Sequence, residues 1–239
     1  EDKGSWTRRT ASDTAIDFAK ADAIFDAADY TSLVACLRAM RPQDDAQLLW
    51  RLGRALKKLG DAEKDKKAKE ALVREGLACA ERALKLDASC GAAHKWFAIL
   101  LSESGSFGST KESIKNSFVV REHFEQAVSL SPDDATSRHL LGLWCFEVAK
   151  LSWIEQKVAA AIFASPPRAT FEEAIGHFLA AEGMDPGFYP KNLLLLAQAH
   201  ARLGRKDEAK EWLGRCLAAT PRSPEDEATL AEAKKLQLS

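Results

Sequence analysis

The sequence predicts an all-α fold, a superhelical stack of helix hairpins, on three observations. One spaced pattern of small, large apolar and turn-forming residues recurs four times, at offsets that fit a unit of about 34 residues. Small residues, Gly53, Ala98, Gly142 and Ala197, recur where the two helices of each hairpin would cross, while larger residues fill the space between hairpins. Gly60, Gly105 and Gly204, or Pro132, Pro186 and Pro221, stand where a periodic stretch should stop.

Taken in chain order, residues 1–12 read as a disordered leader, and residues 13–239 as one domain. Asp13 is the expected N-cap of a segment in which Ile16, Phe18, Ala19, Ile24 and Phe25, then Leu33, Val34, Leu37 and Met40, fall on helical spacing. Two helices are expected there, closed by Pro42 and packed on the first repeat. That repeat covers about 46–90, with Leu49, Leu52, Gly53, Leu56 and Gly60 followed by Gly76, Ala80 and Ala83; Ala88 stands where proline is usual. The second, about 91–134, gives His94, Phe97, Ala98, Leu101 and Gly105, then Val120, Phe124, Ala127 and Pro132. The third, about 135–189, gives Leu141, Gly142 and Cys145, then Ala174, Phe178, Ala181 and Pro186. The fourth, about 190–223, is the most regular: Leu193, Leu196, Ala197 and His200, then Ala209, Leu213, Cys216 and Pro221. These offsets reproduce the tetratricopeptide pattern W-x2-L-G-x2-Y, A-x3-F, P, so the stack is tetratricopeptide-like.

The first three repeats carry long insertions between their helices, roughly 11, 10 and 20 residues beyond a standard hairpin. DAEKDKKAKEALVREG reads as a helix extended by a charged, solvated turn, and GSFGST as a flexible turn. LSWIEQKVAAAIFASPPRAT is amphipathic, with Trp153, Ile154, Val158, Ile162 and Phe163 on its apolar side and Pro166 and Pro167 ending it. It is expected either to cover the repeat stack as a core helix or to act as a membrane-touching or lid element.

Composition narrows the function. The 34 basic and 35 acidic residues nearly cancel, so bulk attraction to nucleic acid is not indicated and electrostatic recognition must come from local patches. No run approaches the roughly 18 apolar residues that span a bilayer, and the N-terminal stretch lacks an apolar signal core. Cys36, Cys79, Cys90, Cys145 and Cys216 lack paired spacing and are expected to be reduced, in a cytoplasmic protein.

The five histidines form no HExxH or other ligand spacing, and no phosphate-cradling loop or nucleophile elbow is present. The chain is therefore not expected to be an enzyme, and neither a cofactor nor a metal is implied. Binding residues follow from repeat geometry, because the inner helix of each hairpin lines a concave face through its positions 2, 5, 9, 12 and 13. Those positions give Trp50, Arg54, Lys57 and Lys58; Lys95 and Ile99; His139, Leu143, Phe146 and Glu147; and Lys191, Leu194, Gln198 and Arg202. A basic face with apolar patches suits an acidic peptide, or a phospholipid whose phosphate meets Lys and Arg. The carboxylate clamp of chaperone-binding repeats is not matched, since Ile99 and Thr136 replace its asparagine and lysine.

The stretches LLWRLGRAL, HKWFAILLSESGSF, REHFEQAVSLSPDDATSRHLLGLWCFEVAKLSW and IFASPPRATFEEAIGHFLAAEGMDPGFYPKNLLLL go beyond generic repeats. Over roughly residues 46–227 the sequence resembles the regulator of microtubule dynamics family. The resemblance implies a non-enzymatic tetratricopeptide-like domain, with members linked to microtubules, spindle organisation and mitochondria. One member is anchored in the mitochondrial outer membrane, tethers it to endoplasmic reticulum, and transfers phospholipid through its repeat domain. Neither that member's transmembrane anchor nor its tethering motif is found in this sequence, which looks closer to the short, soluble members. Tubulin or microtubules, with acidic tails that would complement the basic face, are thus the expected partner, and phospholipid at a mitochondrial or contact-site membrane is the alternative.

Overall fold

The computed structural model describes residues 11–40, 44–151, 160 and 167–236, with side chains from residue 18 onward. Among the described residues every regular element is an α-helix. The chain forms two compact units, Glu1–Gly108 and Ser109–Ser239. Their boundary falls at the turn between the two helices of the expected repeat 91–134.

In the first unit, α1 (Ala11–Asp26) and α2 (Tyr30–Ala39) precede α3 (Ala46–Ala62), α4 (Lys66–Leu86) and α5 (Gly91–Gly105). Because α1 starts at Ala11, Asp13 lies inside the helix rather than capping it, and only residues 1–10 of the expected leader fall outside the described residues. Asp29, Asp45 and Asp65 are the working N-caps: their carboxylates accept from Ser32 N, from Gln47 N and Leu48 N, and from Ala68 N. The charged insertion becomes helix, so that α4 runs for 21 residues. Helices α3 and α4 form the expected hairpin, and they meet at glycines. A Cβ on Gly53 would lie 3.0 Å from the Gly76 carbonyl oxygen, and one on Gly76 would lie 3.0 Å from Leu100 Cδ2. Leu33, Val34 and Leu37 of α2 bury against Leu48, Leu52 and Leu56 of α3, as their helical spacing requires.

The second unit contains α6 (Thr110–Leu130), α7 (Ala135–Ala149), α8 (Phe171–Met184), α9 (Pro190–Arg202), α10 (Lys206–Leu217) and α11 (Pro224–Ala233). Helices α7 and α8 form one hairpin and α9 and α10 another; α6 packs on α7, and α11 on α9 and α10. Thr170 and Glu173 make a reciprocal capping box that starts α8. Gly204, at φ +72°, takes the left-handed conformation that ends α9. Gly142 lets α7 seat against Phe178, since an added Cβ would lie 2.8 Å from the ring. The sequence reading gave no element after residue 223. The signal was present: Ser223 caps, Pro224 occupies the first helical turn, and Glu225, Asp226 and Glu227 follow it.

Candidate functional site

The inner-helix positions fall into three groups: seams between helices, side chains already paired, and open surface. Position 5 lies on a seam. Trp50 of α3 is buried with Cys90 and Ala93 at the start of α5, and its Nε1 donates to Gln47 Oε1 at 2.8 Å. Leu194 of α9 is buried beside Leu230 and Ala233 of α11.

His139 of α7 is 3% exposed, and its Nδ1 lies 2.9 Å from Asn192 Oδ1 on α9. Asn192 Nδ2 donates to the Phe178 carbonyl at 3.0 Å, which leaves Oδ1 as the acceptor and places a proton on His139 Nδ1. Burial pushes the imidazole down to about 4, against the pull of the Asn192 contact. The rings of Phe178 and Tyr189 complete its surroundings, with centroids at 5.6 and 4.9 Å. Trp50, His139 and Leu194 therefore correct the expectation of a ligand-facing position 5. Within each unit the inner helices pack side by side, α3 on α5 and α7 on α9, and that position lies between them.

Phe146, at position 12, is likewise interior, set between Phe171 and Phe178. Leu143 is half-buried. The apolar lining expected for a lipid thus loses Phe146 and Leu194 to the core. Trp153, Ile154, Val158, Ile162 and Phe163 all lie outside the described residues.

Arg54, Lys57 and Lys191, three of the six expected cations, are already paired. Arg54 Nη2 meets Asp22 Oδ1 of α1 at 2.6 Å, and Arg51 Nη2 meets the other oxygen at 2.9 Å. Arg54 also stacks on Phe25 at 3.7 Å, and Arg51 on Phe18 at 4.5 Å and on Trp50 at 4.3 Å. Burial acts to raise the Asp22 carboxyl, but the two guanidiniums outweigh it and hold it below the usual range. Lys57 sits between Asp61 at 2.6 Å and Glu103 at 2.9 Å, and Lys69 reaches the same Glu103 at 2.9 Å. In the second unit Lys191 and Gln198 both reach Glu232 of α11, at 2.7 and 3.0 Å.

Lys95 is half-buried, while Arg202 is exposed. Lys58, half-buried, has no ion-pair partner among the described residues. Sequence reasoning missed Asp22, Glu103, Glu232 and Asn192, the partners that neutralise or bury this face. Their contacts join residues 29 to 53 positions apart, which periodicity cannot pair.

His94 and three of the cysteines are buried in the fold. His94 Nε2 lies 3.0 Å from the Ala88 carbonyl oxygen, and Cys90, Cys145 and Cys216 are buried. Burial pushes the Cys79 and Cys145 thiols up to about 11, away from nucleophilic thiolate. Among the described residues no group of His, Cys, Asp and Glu side chains is placed to hold a metal ion, and no helix is long and apolar enough to cross a membrane.

Fold and face together define an all-α, tetratricopeptide-like repeat protein. A thermophilic tetratricopeptide protein of Thermus thermophilus superposes with a TM-score of 0.64 at 15% identity, covering 93% of this chain and 99% of its own. The family model described as regulator of microtubule dynamics protein 1-3 matches residues 17–239. Regulator of microtubule dynamics protein 1 of Bos taurus is 40% identical over 91% of this chain and 69% of its own length. Regulator of microtubule dynamics protein 3 of Xenopus laevis is 38% identical over 71% of this chain and 37% of its own. The chain belongs to the regulator of microtubule dynamics family.

Proposed function

We propose that this chain is a non-enzymatic helical-repeat scaffold that binds microtubules, through tubulin or a protein on the microtubule surface. The observation that carries this reading is the family match, which runs through both units from residue 17 to residue 239. The fold is consistent with it, because stacked hairpins present extended surfaces suited to protein partners. Phospholipid binding is the weaker reading, since Phe146 and Leu194, which were to line apolar space, are core residues.

Co-sedimentation of the purified chain with taxol-stabilised microtubules tests the proposal. Saturable pelleting with microtubules supports it. A chain that stays in the supernatant at every microtubule concentration, and releases phospholipid on extraction, overturns it in favour of the lipid module.

A further inference from the structure

Four lysines of the first unit that make no ion pair among the described residues lie near one hairpin end, and a fifth, Lys20, is exposed on α1. Among the described residues of that unit every arginine is ion-paired: Arg38 with Glu75, Arg51 and Arg54 with Asp22, Arg74 with Glu70, and Arg82 with Asp44. Lys57, Lys69 and Lys85 are paired as well. Lys58, Lys64, Lys66 and Lys67, by contrast, have no carboxylate partner among the described residues; Lys64, Lys66 and Lys67 lie at the turn joining α3 to α4, and Lys58 stands on α3, four residues before its end. Lys64, Lys66 and Lys67 are exposed, and Lys58 is half-buried.

The carboxylates interleaved with them are already engaged. Asp61 binds Lys57 at 2.6 Å, Glu63 accepts from Asp65 N at 2.9 Å, and Asp65 caps Ala68 N at 2.8 Å. Each of these acids is thus directed at its own backbone or at a lysine that does not belong to the quartet. These bonds also tie down the backbone of the turn. In a chain with a formal net charge of −1 this corner is a local positive feature. Lysine ammoniums are compact, strongly hydrated point charges, suited to a flexible run of carboxylates rather than to one planar group held bidentately.

We infer that the α3–α4 turn, through Lys58, Lys64, Lys66 and Lys67, is a docking surface for an acidic peptide segment, a run of glutamates or aspartates on the partner. The inference rests on the microtubule reading for the identity of that partner, the acidic tails of tubulin. It shifts the electrostatic contact from Arg54, Lys57 and Lys191, which are neutralised internally, to the hairpin corner, and keeps Lys58 as the one inner-helix position.

The test uses the full chain, the quadruple Lys→Gln variant at 58, 64, 66 and 67, and a control carrying Lys20→Gln, Lys206→Gln, Lys210→Gln and Lys234→Gln with the same change in net charge. Each is titrated with a fluorescent oligoglutamate peptide and, separately, with intact microtubules and with microtubules trimmed of their acidic tails. The turn variant should lose roughly tenfold in affinity for the peptide and for intact microtubules, with an unchanged melting temperature. The control should keep its affinity, and tail trimming should weaken the parent chain as much as the turn substitutions do. Equal binding by the turn variant and the parent overturns the inference. A parent chain that binds oligoglutamate through these lysines yet ignores microtubules keeps the docking surface and overturns the microtubule reading instead.

Discussion

Gly142 and Gly176 lie on the two helices of one hairpin, and a methyl group added to each should have opposite effects. At Gly142 the new Cβ would sit 2.8 Å from two ring carbons of Phe178, a side chain with no exposed surface and no room to swing. Overpacking of this kind costs about 1–3 kcal/mol, against about 1 kcal/mol gained in helix propensity, so Gly142→Ala should be destabilising by roughly 1 kcal/mol. At Gly176 nothing lies within 4 Å, so only the propensity term acts, and Gly176→Ala should be stabilising by about 0.5–1 kcal/mol. Urea unfolding of the two variants reads the sign directly. His139 sets a pH dependence at the same scale. Its folded pKa, near 4, lies below the ordinary value of 6.5, so the unfolded chain takes up a proton first as pH falls. Its contribution is complete above about pH 6.5 and is lost progressively as pH drops from there toward 4, about 3 kcal/mol in all. The paired carboxylates Asp22 and Glu103, whose pKa values are depressed, lose their contribution only at lower pH, as it falls below their unfolded values of 3.8 and 4.5. The fall in unfolding free energy between pH 7 and pH 5 should therefore be shallower in His139→Gln than in the parent; an unchanged slope would mean that His139 is not held neutral.

At the scale of elements, α1 and α11 each set a carboxylate on an inner helix, and exposure decides which matters more. Asp22 serves two guanidiniums whose side chains are only 12% and 14% exposed, whereas Glu232 meets a Lys191 that is 29% exposed and is itself 49% exposed. Asp22→Ala strands two largely desolvated cations and should cost about 1–2 kcal/mol, discounted for the water that still reaches Asp22; Glu232→Ala should cost under about 0.5 kcal/mol. Thermal unfolding of the pair checks the order, and equal losses would contradict it. The contrast also marks what the sequence could reveal. Hairpins α3/α4, α7/α8 and α9/α10 were legible because Gly53, Gly142 and Ala197 recur at fixed offsets from larger apolar residues, and periodic packing leaves a periodic trace. Helix α2 was legible for the same reason, through Leu33, Val34 and Leu37. Helix α11 was readable from its cap and acidic first turn, but it lies past the repeat and was missed. The candidate face was much less legible. A repeat register says which residues share an inner helix, not whether α1 will bring Asp22 onto Arg54 or α9 will bring Asn192 onto His139.

At the scale of the whole molecule, 34 basic and 35 acidic residues leave no bulk field, so the proposed binding to an acidic filament would rest on a few local cations. Contacts of that kind are exposed and are weakened by added salt. Core substitutions such as Gly142→Ala should then change stability without changing affinity for a partner, provided the protein is folded at the assay temperature. The most direct measurement is microtubule co-sedimentation of the chain across a salt series. The expected result is saturable binding at 50 mM salt that weakens about tenfold by 200 mM. Binding that stays flat across the series, or no binding from a chain that carries extractable phospholipid, would contradict the account.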